Sequence, residues 1–187
     1  MKELSLNVLD VAKNSVKAGA TLVTVAITET DETLELKFSD NGCGMTPEFL
    51  QNVTDPFCTT RTTRAVGLGI PLLKLQAEQT GGSFDIQSKH ESTNPTDHGT
   101  VTTALFYKNH IDMTPLGDII SSIVTLIQGS PDIDFLFTHT RPQGDVSLDT
   151  RELRAVLGDE VPLDLPDVLV WITENLKEQY NNGNGND

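Results

Sequence analysis

Between Leu4 and Phe38 the apolar residues change their spacing once, and that change excludes a whole class of folds. Leu4, Val8 and Val11 recur at helical intervals, and Gly19 supplies a stop, which predicts a helix over residues 4–18. Leu22, Val23, Val25 and Ile27 then predict a strand over 21–28, and Leu34, Leu36 and Phe38 alternate as a second strand. Only a turn at Asp31 and Glu32 separates the two strands, so they must form an antiparallel hairpin. A helix followed by a hairpin cannot open a simple alternating parallel fold.

The remaining segments extend the same pattern. Thr46-Pro47-Glu48 combines an N-cap, a proline at the first helical position and an acidic first turn, predicting a short helix to Val53. Residues 54–66 lack periodicity and carry Thr59, Thr60, Arg61, Thr62, Thr63 and Arg64, which suits a mobile loop over a ligand. A helix from Gly67 to Thr80 follows, with Leu68, Leu72, Leu75 and Gln79 expected on one face and Gly81-Gly82 at its end. Strands over 83–88 and 100–106 complete an α+β, two-layer sandwich, a mostly antiparallel sheet with helices on one face.

Residues 108–180 are expected to form a smaller α+β accessory region. Helices are predicted over 116–128, from Thr150 to Leu157 and from Pro166, with a strand over 133–138 and a frayed tail at 181–187. Charge also divides the chain near this point. Residues 1–109 hold 9 Lys and Arg against 13 Asp and Glu, and residues 110–187 hold 4 against 14. That balance argues against nucleic acid and anionic membranes as partners. No apolar run reaches the length of a membrane span, and the chain opens on a periodic helix, so a cytoplasmic protein is expected. Cys43 and Cys58 form no metal-binding spacing and read as reduced thiols.

Several residues carry chemistry. Asp10 and Asn14 lie four apart on one helical face, where a carboxylate and a carboxamide can serve one water and one metal. In Asp40-Asn-Gly-Cys-Gly-Met45, a carboxylate at a strand end can accept a hydrogen bond from an exocyclic amine, and glycines let backbone approach a flat ring. The same tripeptide also suits an Asx turn closing a strand. Gly67-Leu-Gly69 opens a helix, whose free N–H groups favour phosphate, but it lacks the P-loop lysine and the third glycine of a dinucleotide site.

In their order, Asp10 and Asn14, Asp40 to Met45, Asp55-Pro-Phe-Cys-Thr-Thr-Arg61, Gly67-Leu-Gly69 and Gly99-Thr100 resemble the GHKL superfamily over residues 1–107. That nucleotide-binding fold, the Bergerat type, is shared by histidine kinases, DNA gyrase, the mismatch-repair ATPase and a heat-shock chaperone. The likeness extends to short bacterial histidine-kinase-like proteins reading LDxxxNSxxAGA, DNGxGM and DPFxTTRTTRxVGLG. The resemblance implies ATP and Mg2+ as cofactors. It implies Asp40 as the adenine-specifying carboxylate, Asn14 as a Mg2+ ligand, and Thr100 as support for Asp40 and a water. It further implies Gly42, Gly44, Met45, Lys17, Gly67, Leu68 and Gly69 around the nucleotide, with Thr59, Thr60, Arg61 and Arg64 as candidate triphosphate contacts. Asp10 occupies the general-base position, which many family ATPases fill with the longer glutamate.

A histidine kinase also needs a phosphoacceptor histidine on a dimerising helix. His90, His98, His110 and His139 fall in or beside loops and strand ends, where surface positions are expected. Three functions stay open: a slow ATPase or nucleotide switch, a kinase acting on a histidine or serine of a separate partner, and a non-catalytic binding module. A protein partner is expected at the C-terminal region or the 54–66 loop, and a homodimer is compatible with either.

Overall fold

One stripe of the first helix decides where it packs. Leu4, Val8, Val11, Ala12 and Ser15 are all buried along α1 (Leu4–Lys17), whereas Asp10, Lys13 and Lys17 face solvent. The protein was studied as a computed structural model, which describes residues 3–54, 68–158 and 160–183. The helix stops where expected: Ala18 is its C-cap, and Gly19 takes the left-handed conformation at φ 75°.

The hairpin follows as β1 (Leu22–Glu29) and β2 (Thr33–Asp40), antiparallel with Val25 opposite Phe38. Next comes α2 (Pro47–Asn52), whose N-cap Thr46 accepts a hydrogen bond from the Phe49 N–H. After α3 (Gly69–Gln79), β3 (Ser83–Lys89) and β4 (Gly99–Tyr107) form a second antiparallel pair, and β4 joins β2. The expected apolar face of α3 is corrected. Ile70, Leu73 and Ala77 are buried, while Leu68 and Leu75 are about half exposed. Two apolar stripes run down this helix, and the one that holds Ile70, Leu73 and Ala77 is the one packed into the core.

Beyond β4 the chain forms α4 (Ile119–Gly129), β5 (Asp134–Thr140), β6 (Val146–Asp149), α5 (Thr150–Leu157) and α6 (Pro166–Asn182). The expected boundary at residue 107 lies inside one continuous sheet, ordered β3-β4-β2-β1-β5-β6. The strand β5 pairs parallel to β1, with Val25 opposite Phe137. The backbone is shared as well: the Leu4 and Ser5 N–H groups, free donors at the start of α1, bond to the Pro115 and Leu116 carbonyls. The strand β6 was not expected from sequence, because four residues carry too little alternation to stand out. Asn181 and Asn182, expected in a frayed tail, belong to the last turn of α6.

All five longer strands and β6 turn alternate residues to one side. Val23, Val25 and Ile27, Leu34, Leu36 and Phe38, Ala104 and Phe106, Phe135 and Phe137, and Val146 and Leu148 meet α1, α3, α4 and α6 in one hydrophobic cluster. The opposite face carries Thr24, Glu35, Lys37, Thr103 and Thr138, half-buried or exposed. This is the expected α+β sandwich, with one parallel pair in an otherwise antiparallel sheet.

Candidate functional site

Asp10 and Asn14, the Asp40–Met45 segment, Leu68-Gly69 and Gly99-Thr100 converge where α1, the end of β2 and the start of α3 meet. Asp40 closes β2, and both its oxygens are engaged: Ser15 Oγ donates to Oδ2 at 2.5 Å and the Gly42 N–H donates to Oδ1 at 2.9 Å. Each carboxylate oxygen can accept two hydrogen bonds, so capacity remains for a ligand donor. Ser15 sits on the buried stripe of α1 and is itself 5 % exposed. Sequence reasoning did not single it out, although a hydroxyl on an otherwise apolar stripe was the available signal.

The loop after Asp40 is fixed on every side. Asn41 accepts from the Thr21 and Leu22 N–H groups and donates to Thr21 Oγ1. The Cys43 N–H bonds to the Ala18 carbonyl, and the Met45 N–H bonds to Ser88 Oγ. His98 places Nδ1 2.6 Å from the Gly42 carbonyl; a carbonyl only accepts, so that nitrogen carries the proton. Neither His98 nor Ser88 was foreseen, because each comes from a distant segment with no motif around it.

Gly42 and Gly44 have a structural reason beyond any ligand. A Cβ on Gly42 would lie 2.9 Å from both the Cβ and the carbonyl oxygen of Ala18. Gly44, at φ 70°, presses on the Lys89 carbonyl, and Gly99, at φ 136°, presses on the carbonyl of Asp40. Thr100 then stands opposite Asp40 in the β2–β4 register, with its Oγ1 2.8 Å from Ser88 Oγ.

Gly69 brings α3 against α1: its missing Cβ would fall 2.9 Å from the Cβ of Asp10. Asp10 therefore stands, exposed, beside the start of α3, where Leu68 contributes no side-chain cap. On the same face Asn14 is half-buried, and its Nδ2 is buried with no hydrogen-bond partner among the described residues. An unpaired buried amide costs about 1–3 kcal/mol, which a bound ligand could relieve. The two ends of a carboxamide exchange on a half-turn, so this position suits an oxygen ligand to a cation or an amide donor to a phosphate.

Among the described residues no group of three His, Cys, Asp or Glu could hold a metal. Asn14 could offer a hard cation one oxygen, and such a cation takes its other ligands from phosphate and water. Lys17 is exposed at the last turn of α1, Met45 is half-buried, and Leu68 is 53 % exposed. Thr59, Thr60, Arg61, Arg64 and Gly67, as well as Cys58, lie outside the described residues.

One histidine is placed against expectation. His139 is 2 % exposed, on the core side of β5, with Nδ1 2.8 Å from the Tyr180 hydroxyl and Nε2 3.2 Å from Glu29. Burial holds its pKa below the usual value, against the pull of Glu29. Burial likewise pushes the Tyr180 hydroxyl up to about 12. Glu29 is also paired with Lys108 at 2.6 Å, and although burial works to raise its pKa, Lys108 and His139 together hold it below the usual carboxylate value. The cluster ties α6 and β5 to β1.

Residues 2–110 match the profile of the family described as Histidine kinase-, DNA gyrase B-, and HSP90-like ATPase. The sensor protein SrrB of Staphylococcus aureus is 34% identical over 95 residues, covering 48% of this chain and 16% of SrrB. The chain therefore spans a small part of the curated relatives it matches. Among solved structures, the N-terminal domain of a DNA repair protein aligns with a TM-score of 0.54 at 18% identity, covering 85% of this chain and 58% of that one. The Aquifex aeolicus MutL ATPase domain complexed with ADP aligns at 0.53 and 15% identity, covering 84% and 69%. These two alignments show a shared fold, and with the family match over more than half its length, the chain belongs to the histidine kinase-, DNA gyrase B- and HSP90-like ATPase family.

Proposed function

We propose that the chain binds Mg·ATP between α1, the 40–45 loop and the start of α3, and uses it as a slow ATPase or a nucleotide-dependent switch. The observation that carries this reading is the carboxylate of Asp40, held by Ser15 and the Gly42 N–H with acceptor capacity to spare. In this role Asp40 accepts from the exocyclic amine of adenine, and Thr100, across the β2–β4 pair, supports it. The binding of ADP by the MutL ATPase domain is consistent with this assignment.

Asn14 supplies one oxygen to Mg2+, which when bound neutralises triphosphate charge. The free N–H groups opening α3, with Lys17, Thr59, Thr60, Arg61, Arg64, Gly67, Leu68 and Gly69, take the phosphates. The Cβ of Asp10 lies against Gly69, so its side chain leaves α1 beside the helix end that would receive them. This placement favours Asp10 as the group that orients or deprotonates a hydrolytic water, yielding ADP and phosphate. Aspartate is one methylene shorter than glutamate, so that water must lie close to α1. A second reading, transfer of the phosphoryl group to a histidine or serine of a partner, is favoured by the identity to a sensor protein. A partner bound through the C-terminal region or the 54–66 loop, and a cytoplasmic setting, go with either. Among the described residues no helix is long and apolar enough to cross a membrane.

Calorimetry with Mg·ATP, Mg·ADP and Mg·GTP tests the proposal. Adenine nucleotides should bind and GTP should not; equal binding of GTP would remove Asp40 from its role. Asn14→Ala should weaken Mg·ATP by roughly tenfold or more, as expected on loss of about 1.4 kcal/mol, without lowering the melting temperature of the free protein. Release of labelled phosphate from γ-labelled ATP separates hydrolysis from binding alone, and labelling of a partner identifies transfer.

A further inference from the structure

The far edge of the sheet holds a second concavity. The strand β6 and helices α5 and α6 enclose a groove of about 910 Å³, lined by Leu136, Leu148, Leu153, Val156, Val168 and Trp171. Val156 is 86 % exposed and Trp171 50 %. Single exposed apolar residues are ordinary, but a contiguous apolar lining with a half-exposed tryptophan marks a contact surface. The groove is remote from Asp40, since β1 and β5 stand between β2 and β6.

Its charge identifies the occupant. Glu152 and Asp167 line the groove, are exposed, and make no ion pair among the described residues. The nearby cations are already engaged: Arg151 with Asp149 at 2.6 Å, and Arg154 with Asp134 at 2.9 Å. Over residues 149–179 the chain carries eight Asp and Glu against three Lys and Arg. A partner here must therefore bring positive charge. A second copy would set acid against acid, and an anionic membrane or a nucleic acid would be repelled.

The edge of β6 narrows the shape. Gln179 accepts from the Ser147 N–H at 2.8 Å and donates to the Ser147 carbonyl at 3.0 Å. These are the groups an added strand would need, and a carboxamide already occupies them. What remains is a trough beside a two-turn helix, α5, about 12 Å long, which suits the apolar face of another helix. We propose that this groove docks a basic amphipathic helix of a partner protein.

Trp171 is the only tryptophan in the chain and reports directly on the groove. The full chain, without nucleotide, is titrated with a Leu/Lys amphipathic peptide of about 18 residues, long enough to be helical. Two control peptides are used: the same composition scrambled to destroy the apolar face, and a Leu/Glu counterpart. The Leu/Lys peptide should blue-shift Trp171 emission saturably, with affinity falling at least about tenfold between 50 mM and 500 mM salt. Val156→Asp, and the pair Glu152→Lys with Asp167→Lys, should each weaken binding about tenfold or more with at most a small fall in melting temperature, since the side chains are exposed but both acids sit in the first turns of α5 and α6. An unresponsive Trp171, equal binding of either control peptide, or full affinity in Val156→Asp overturns the proposal. So does a concentration-dependent blue shift without peptide, which would mean that a second copy covers the groove.

Discussion

The two ends of the sheet are built on opposite principles. Around Asp40 nearly every polar group has a partner, from Ser15 and the Gly42 N–H to His98, Ser88 and Thr100, and glycines let backbone lie where a Cβ would collide. Around Trp171 the lining is apolar and open, and the notable hydrogen bonds are those that Gln179 makes to close the strand edge. The first arrangement places individual atoms, which a small polar ligand requires. The second offers area and a charge of one sign, which a macromolecular surface can use. One hydrophobic cluster nevertheless runs beneath both.

The largest expected effect tests whether that cluster is truly shared. Phe137→Ala, at a residue 1 % exposed on β5, should destabilise the chain by about 3–5 kcal/mol. Because β5 pairs with β1 and the 115–116 backbone bonds to α1, chemical denaturation of this variant should remain a single transition. Two transitions, with nucleotide binding surviving the first, would divide the molecule at the boundary that charge suggested. A smaller effect separates the two ends. Gly42→Ala forces a Cβ against the Ala18 backbone and should cost about 1–3 kcal/mol. It should also weaken nucleotide binding while leaving Trp171 emission unchanged, and a Trp171 shift would show that the two ends are coupled.

The smallest effect concerns the seam between them. His139 is held neutral by burial, so its contribution to stability is complete above its unfolded value of about 6.5 and is lost as pH falls from there toward the lowered folded value. The melting temperature should therefore drop between pH 7 and pH 5, and the slope should be flatter in His139→Gln. Glu29, whose pKa is also lowered, loses its contribution only below its usual 4.5, outside that window. An unchanged melting temperature across the window would place the seam elsewhere.

Much of the Asp40 end was legible because its spacing is local. The period of α1, the alternation of β1 and β2 and the cap at Thr46 each lie within a few residues, where sterics and capping leave a readable trace. Contacts across the chain left none. His98 reaches Gly42, Gln179 reaches Ser147, and His139 is buried by Tyr180, all through pairings that only the assembled sheet creates. The apolar face of α3 was misread because both stripes satisfy the helical period, and only the sheet selects between them. The charge division near residue 109 is real, yet the composition of a segment's surface does not report which strand it pairs with.

The position of β1 bears on how the chain folds. It forms its hairpin with β2 from neighbouring residues, but its other edge waits for a parallel partner more than a hundred residues further along. Closing so long a loop is slow, and until it closes an apolar strand keeps one row of N–H and C=O groups unpaired. During synthesis the family module is thus finished while β1, the edge strand of its four-stranded sheet, still has an open side. The C-terminal region completes that side, so the edge stays open to strand addition only until β5 has been made.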